Sequence, residues 1–123
     1  MNPKILIVED DSDITKLMVS LLESSGYTAL TASDAVVAIA IARQEVPDLV
    51  VLDLGLPGGG GLTVLKRLRS LQVTSATPVL VVSAFGSTHR DAALVDGAQQ
   101  FLEKPFIPDE FLEAVAALLI ANP

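Results

Sequence analysis

Four stretches of this 123-residue sequence run into side chains that can do chemistry. Glu9, Asp10 and Asp11 follow the apolar run Ile5-Leu6-Ile7-Val8, and Asp53 follows Leu49-Val50-Val51-Leu52. Ser83 follows Val79-Leu80-Val81-Val82, and Gln99–Leu102 leads into Lys104-Pro105. If these runs lie side by side, three carboxylates, a hydroxyl and an ammonium converge on one rim. Uncompensated carboxylates repel, so such a cluster holds either a raised pKa or a cation. Oxygen ligands without His or Cys favour a hard ion, Mg2+ first, then Mn2+ or Ca2+. A divalent ion beside a lone lysine and a hydroxyl is equipment for holding a phosphoryl group. Singly, these residues have plainer readings. Asp53 alone is an ordinary strand-end residue, Asp11 and Asp13 are solvated acids beside a helix N-terminus, and Lys104-Pro105 is a turn. Gly58–Gly61 lacks the Gly-Lys-Ser/Thr of a phosphate loop and reads as a flexible turn. His89, the only histidine, reads as a surface residue.

The elements that must position these groups alternate along the chain. The runs at Ile5, Leu49 and Val79 are apolar throughout, as strands buried on both faces are. Tyr27–Thr31 and Gln99–Leu102 read as shorter strands. Between them, Ile14, Leu17, Met18, Leu21 and Leu22 recur at helical spacing, with Ser12 available as N-cap and Gly26 beyond the last turn. Asp34 opens an Ala-rich helix that must end before Pro47. Pro57 and Gly58–Gly61 make a loop before Leu62, Leu65, Leu68 and Leu71, which share a helical face. Thr88–Asp96 is a weaker helix closed by Gly97, and Pro108–Ala121 is the last, with Asp109 and Glu110 suiting its dipole. Five strand-then-helix units with strands buried on both sides predict an α/β, doubly wound, five-stranded parallel sheet in a three-layer sandwich. In such sheets, functional groups gather at the carboxyl ends of the strands.

Composition narrows the function. Half the residues are hydrophobic, which excludes a disordered chain, and the absence of cysteine excludes disulfides, thiolate metal sites and a cysteine nucleophile. The longest uncharged apolar runs, Ala35–Ala42 and Ala114–Ala121, fall far short of the ~18 residues that span a bilayer. Met1-Asn2-Pro3-Lys4 opens no signal-type stretch, so a cytoplasmic protein without membrane attachment is expected, with any further domain after Pro123. Eight Lys and Arg against fifteen Asp and Glu argue against direct nucleic-acid binding by this domain. On the last helix, Phe111, Val115, Leu118 and Leu119 form a stripe that can dock on the sheet. Ile120 projects roughly opposite and marks a surface for a homodimer or a protein partner.

Together the motifs Ile5-Leu6-Ile7-Val8-Glu9-Asp10-Asp11, Pro47–Asp53, Leu56-Pro57-Gly58, Val81-Val82-Ser83-Ala84, Gly97-Ala98 and Lys104-Pro105-Phe106 are specific. Over nearly its whole length the chain resembles a response regulator receiver domain of two-component signal transduction, so residues 1–123 are expected to form one receiver domain. The resemblance implies the flavodoxin-like (βα)5 strand order 2-1-3-4-5, which sets the first and third strands side by side. It implies that Asp53 is the phosphoacceptor, attacking the phosphohistidine of a sensor histidine kinase or phosphotransfer protein. Asp10, Asp53 and the Gly55 backbone carbonyl would ligate Mg2+ (or Mn2+), with Glu9 acting through water. Lys104, the Ser83 hydroxyl and the Ala84 amide would hold phosphoryl oxygens, and Phe101 would swing between buried and exposed positions. Lys104-Pro105 would be cis. The resemblance also implies that Gly55 and Phe85 would flank the path of attacking water. Neither orients a water, which implies slow loss of the phosphoryl group.

The implied function is a phosphorylation-controlled switch, not an enzyme with a separate substrate, whose fourth-helix, fifth-strand and fifth-helix surface controls an output domain or partner. A degenerate receiver serving only as an interaction module is the alternative. An aspartyl-phosphate phosphatase is a further one, although Asp53-Leu54-Gly55 lacks the second acid such enzymes use. Receivers fused to winged-helix domains tend to carry two acids before the fifth strand and arginines on the last helix. Gln99-Gln100 and an arginine-free Glu113–Ile120 put their charge-paired dimer in doubt here.

Overall fold

The computed structural model describes residues 2–56, 60–84 and 87–121, with the backbone alone at 87–89. The elements alternate as β1 (Lys4–Val8), α1 (Ser12–Ser24), β2 (Thr28–Ala32), α2 (Ala35–Glu45), β3 (Leu49–Leu52), α3 (Gly60–Ser70), β4 (Val79–Ser83), α4 (Ser87–Val95), β5 (Gln100–Glu103) and α5 (Pro108–Ala121). The strands form one parallel sheet in the order β2-β1-β3-β4-β5.

The three central strands are apolar throughout because each supplies two cores. Ile5, Ile7, Leu49, Val51, Leu80 and Val82 face Met18 and Leu22 of α1 and Phe111 and Val115 of α5. The alternate residues Leu6, Val8, Val50, Leu52, Val79 and Val81 face Ala38 and Ala42 of α2, Val64, Leu65 and Leu68 of α3, and Ala93 of α4. A strand's period of two thus assigns neighbouring residues to opposite layers. Burying each branched or leucine side chain contributes roughly 1.5–3 kcal/mol before chain entropy is counted.

Several element ends differ from expectation. Asp11, not Ser12, caps α1: its Oδ1 accepts from the Asp13 and Ile14 amides at 2.9 and 3.0 Å, while Ser12 is already helical. Asp34 caps α2 as expected, accepting from the Val37 amide at 2.9 Å. The edge strands β2 and β5 each start one residue later than their sequence suggests. Gly60 and Gly61 belong to α3, not to the preceding loop, and the expected turn at Pro57, Gly58 and Gly59 lies outside the described residues.

Helix α4 is lightly held, since Ala93 is its one fully buried side chain among those described. It ends at Gly97 (φ +105°), where a Cβ would come within 2.9 Å of Arg69 Nε. The Arg69 guanidinium donates to the carbonyls of Gly97 (2.8 Å) and Thr77 (2.7 Å) and to Gln99 Oε1 (2.9 Å), which also accepts from the Val79 amide. One side chain thereby ties α3 to the entrances of β4 and β5.

Candidate functional site

The site is built from strand ends whose ladder bonds continue one residue past the strands. The Asp53 amide donates to the Val8 carbonyl (2.9 Å), the Glu9 amide to Ala32 (3.0 Å) and the Lys104 amide to Ser83 (2.9 Å). Because β1 and β3 are neighbours, with Val8 opposite Leu52, Glu9 and Asp10 leave the sheet beside Asp53. One carboxylate oxygen from each of Glu9, Asp10 and Asp53 lies within 4.8 Å of the others. Among the described residues this is the single grouping of three acids or histidines able to share an ion.

Burial makes the grouping electrostatically costly. Glu9 is 4% exposed and Asp53 8%, whereas Asp10 faces solvent. Lys104 provides the counter-charge from three strands away. Its Nζ donates to Glu9 Oε1 at 2.5 Å and lies 3.7 Å from Asp53 Oδ2. Glu9 Oε2 accepts from the Asp11 amide (3.1 Å), and Asp53 Oδ1 from the Gly55 amide (3.3 Å). Burial pushes the Glu9 carboxyl above the usual carboxylate range, while the Lys104 and Asp11 hydrogen bonds pull it back only in part. Two buried acids, one exposed acid and one ammonium leave the cluster with surplus negative charge. An all-oxygen donor set in that state suits a hard divalent ion.

The remaining expected residues lie around this core. Ser83 ends β4, one strand from Asp53, with its side chain fully buried, and Ala84 follows it at the surface. Gly55 is exposed. Phe101 on β5 is half-buried and packs on the core layer that contains Ala93 of α4. The Lys104–Pro105 bond is cis, and the following Phe106 ring meets Phe111 of α5 at 5.1 Å between centroids, fixing the turn that carries Lys104. Phe85 and the side chain of His89 lie outside the described residues.

Two contacts had no mark in the sequence. Glu9 is not merely near the site but holds Lys104 directly. Gly61 lets α3 sit on the Asp53–Leu54 segment: a Cβ there would lie 2.3 Å from the Asp53 carbonyl oxygen and 2.5 Å from Leu54 Cα. The Gly61 amide donates to the Leu54 carbonyl at 2.9 Å.

Known proteins with this combination are consistent in kind. The family model for the response regulator receiver domain matches residues 5–116. The DNA-binding dual master transcriptional regulator RpaA of Synechocystis is 42% identical over 118 residues, 95% of this chain and 49% of that protein. The alkaline phosphatase synthesis transcriptional regulatory protein PhoP of Bacillus subtilis is 40% identical over 120 residues, 97% of this chain and 49% of that protein. Among solved structures, the receiver domain of a Francisella response regulator aligns with a TM-score of 0.92 at 31% identity, covering 99% of this chain and 100% of that one. A chemotaxis response regulator of Vibrio cholerae aligns with a TM-score of 0.90 at 27% identity, over 96% and 99% of the two chains. The chain belongs to the response regulator receiver domain family of two-component systems. It spans about half the length of the curated relatives it matches. None of the described helices is long and apolar enough to cross a membrane.

Proposed function

We propose that this receiver is a cytoplasmic, phosphorylation-controlled switch in which Asp53 takes a phosphoryl group from a sensor histidine kinase or phosphotransfer protein. The observation that carries this reading is the meeting of Glu9, Asp10, Asp53 and Lys104 at adjoining strand ends. An Asp53 oxygen attacks phosphorus as the P–N bond of the donor phosphohistidine breaks, and the departing imidazole nitrogen keeps the electron pair and takes up a proton. Asp10, Asp53 and the Gly55 carbonyl would hold Mg2+, with Glu9 engaged through water. The bound ion supplies neutralisation of the phosphoryl charge. Lys104 contributes a mobile point charge to one phosphoryl oxygen. The Ser83 hydroxyl and Ala84 amide donate to another.

The rearranged Ser83 and Lys104 ends of β4 and β5 would then be felt by α4, Phe101 and α5, which form the output surface. Light anchoring of α4 makes it the cheapest element to move. The output, a following domain or a separate partner, is expected to read that surface. Gly55 offers hydrolysing water no side-chain guide, so loss of phosphate from Asp53 should be slow. Following that first-order loss, Gly55→Asn should accelerate it about tenfold, equivalent to ~1.4 kcal/mol.

Incubation with acetyl phosphate and Mg2+ followed by intact-mass measurement tests the reading. A gain of one phosphoryl group supports a switch. Continuous turnover of a phosphate ester with no retained group would favour a phosphatase, and an unchanged mass a degenerate receiver.

A further inference from the structure

We propose that the outer groove between α2 and α3 is a docking site for an acidic amphipathic helix of a protein partner, separate from the surface of α4 and α5. The groove is lined by Ala35, Val36 and Ile39 of α2 and by Thr63, Val64 and Arg67 of α3, and holds about 290 Å3. Val36 is 74% exposed and Val37 42%. Valine is a mediocre helix former, and in water it gains nothing from burial to offset that. From Ala35 to Ala42 the helix carries no charge at all. Both helices follow strands of the one parallel sheet and pack in the same layer, so they run side by side in the same direction. An apolar trough between two such helices is a seat for a third.

Charge defines the occupant. The chain carries −7 overall, yet Leu54–Arg90 contains Lys66, Arg67, Arg69 and Arg90 and no acid. Arg69 is committed to the Gly97 and Thr77 carbonyls, and Lys66 lies 3.9 Å from Asp96. Arg67 lines the groove itself. Arg43 is exposed seven residues after Val36, hence on the same side of α2 and about 10 Å further along. Among the described residues neither guanidinium pairs with an acid, and Glu45 of α2 is engaged by Lys4 at 3.4 Å. A base in the last turn suits each helix's own dipole, which accounts for where Arg43 and Arg67 stand. It does not account for exposed valines beside them or for the lack of acids. The groove is thus apolar toward the helix N-termini and basic toward the C-termini. Its complement is a helix with an apolar anchor and, about two turns away, carboxylates for the two guanidinium forks.

Amide NMR titration of the intact chain tests this with a synthetic amphipathic peptide as probe. Its leucines stand at i, i+3 and i+4 and its glutamates about two turns away; a twin carries lysine for every glutamate. The acidic peptide should move the amides of Ala35–Arg43 and Thr63–Arg67 and leave those of α5 in place. Val36→Glu, a good helix former at an exposed position, should keep the fold and weaken binding about tenfold. Arg67→Glu should weaken it about threefold and flatten its salt dependence. The lysine twin should move neither helix. Equal responses to the two peptides would mean indiscriminate stickiness and would overturn the proposal. So would unchanged affinity in Val36→Glu, or no response of α2 and α3 to the acidic peptide. Sedimentation of the parent without peptide completes the test: self-association abolished by Val36→Glu would give the groove to a second copy of this chain and overturn the acidic partner.

Discussion

Glu9 is the residue on which burial, pairing and function bear most heavily. Its carboxyl is raised above the ordinary 4.5, desolvation being the largest cause. Between 4.5 and its folded value, the folded chain retains a proton that the unfolded chain has released. Stability therefore falls as pH rises through that window: the penalty for a buried charge is absent below 4.5 and complete above the folded value. Urea unfolding across that range should show this decline in the parent and a flatter profile in Glu9→Gln. Parallel profiles would mean that Glu9 titrates no differently in the folded chain. Much of the residue-level chemistry was legible, because Asp53 and Ser83 each close an apolar run, Glu9 and Asp10 follow another, and Lys104 follows the last short strand. The pairing of Glu9 with Lys104 was not, since it depends on two side-chain lengths measured across three strand ends.

At the scale of elements, the Asp53–Leu54 segment is held from below by its own strand and from above by α3. Gly61 is the point of contact. Gly61→Ala places a Cβ 2.3 Å from the Asp53 carbonyl oxygen, and backbone, not a flexible side chain, must yield. The expected loss is about 1–3 kcal/mol in urea unfolding, the usual scale of overpacking, accompanied by slower modification of Asp53. Parent-like values for both would show that α3 is free to shift without disturbing the acceptor. Central strands were readable because burial on both faces removes polar alternation. The edge strands β2 and β5 started one residue late because each has one neighbour to fix its limits and mixed burial along its length. Asp11 and Ser12 are both good caps, so residue type alone could not choose between them. Arg69 left no trace at all: most of its acceptors are backbone carbonyls, which every residue carries.

For the molecule as a whole, the same (βα)5 frame that gathers the acids on one rim leaves α4 and α5 with exposed apolar residues, Val95 at 85% and Ile120 at 79%. The Gln99 side-chain oxygen Oε1 accepts within the chain from Arg69 and from the Val79 amide. An apolar contact through Ile120 is the better candidate for self-association. Ile120→Glu should weaken any dimer seen by sedimentation while moving monomer stability by no more than ~0.5 kcal/mol; unchanged association would make the surface inert. The central claim, that Asp53 is the acceptor in a cation-dependent transfer, is tested most directly by intact mass after exposure to acetyl phosphate. The parent and Asp53→Asn are compared with Mg2+ and with excess chelator. One phosphoryl group is expected on the parent with Mg2+, and none in the other three samples. Equal modification of Asp53→Asn, or of the parent in chelator, would contradict it.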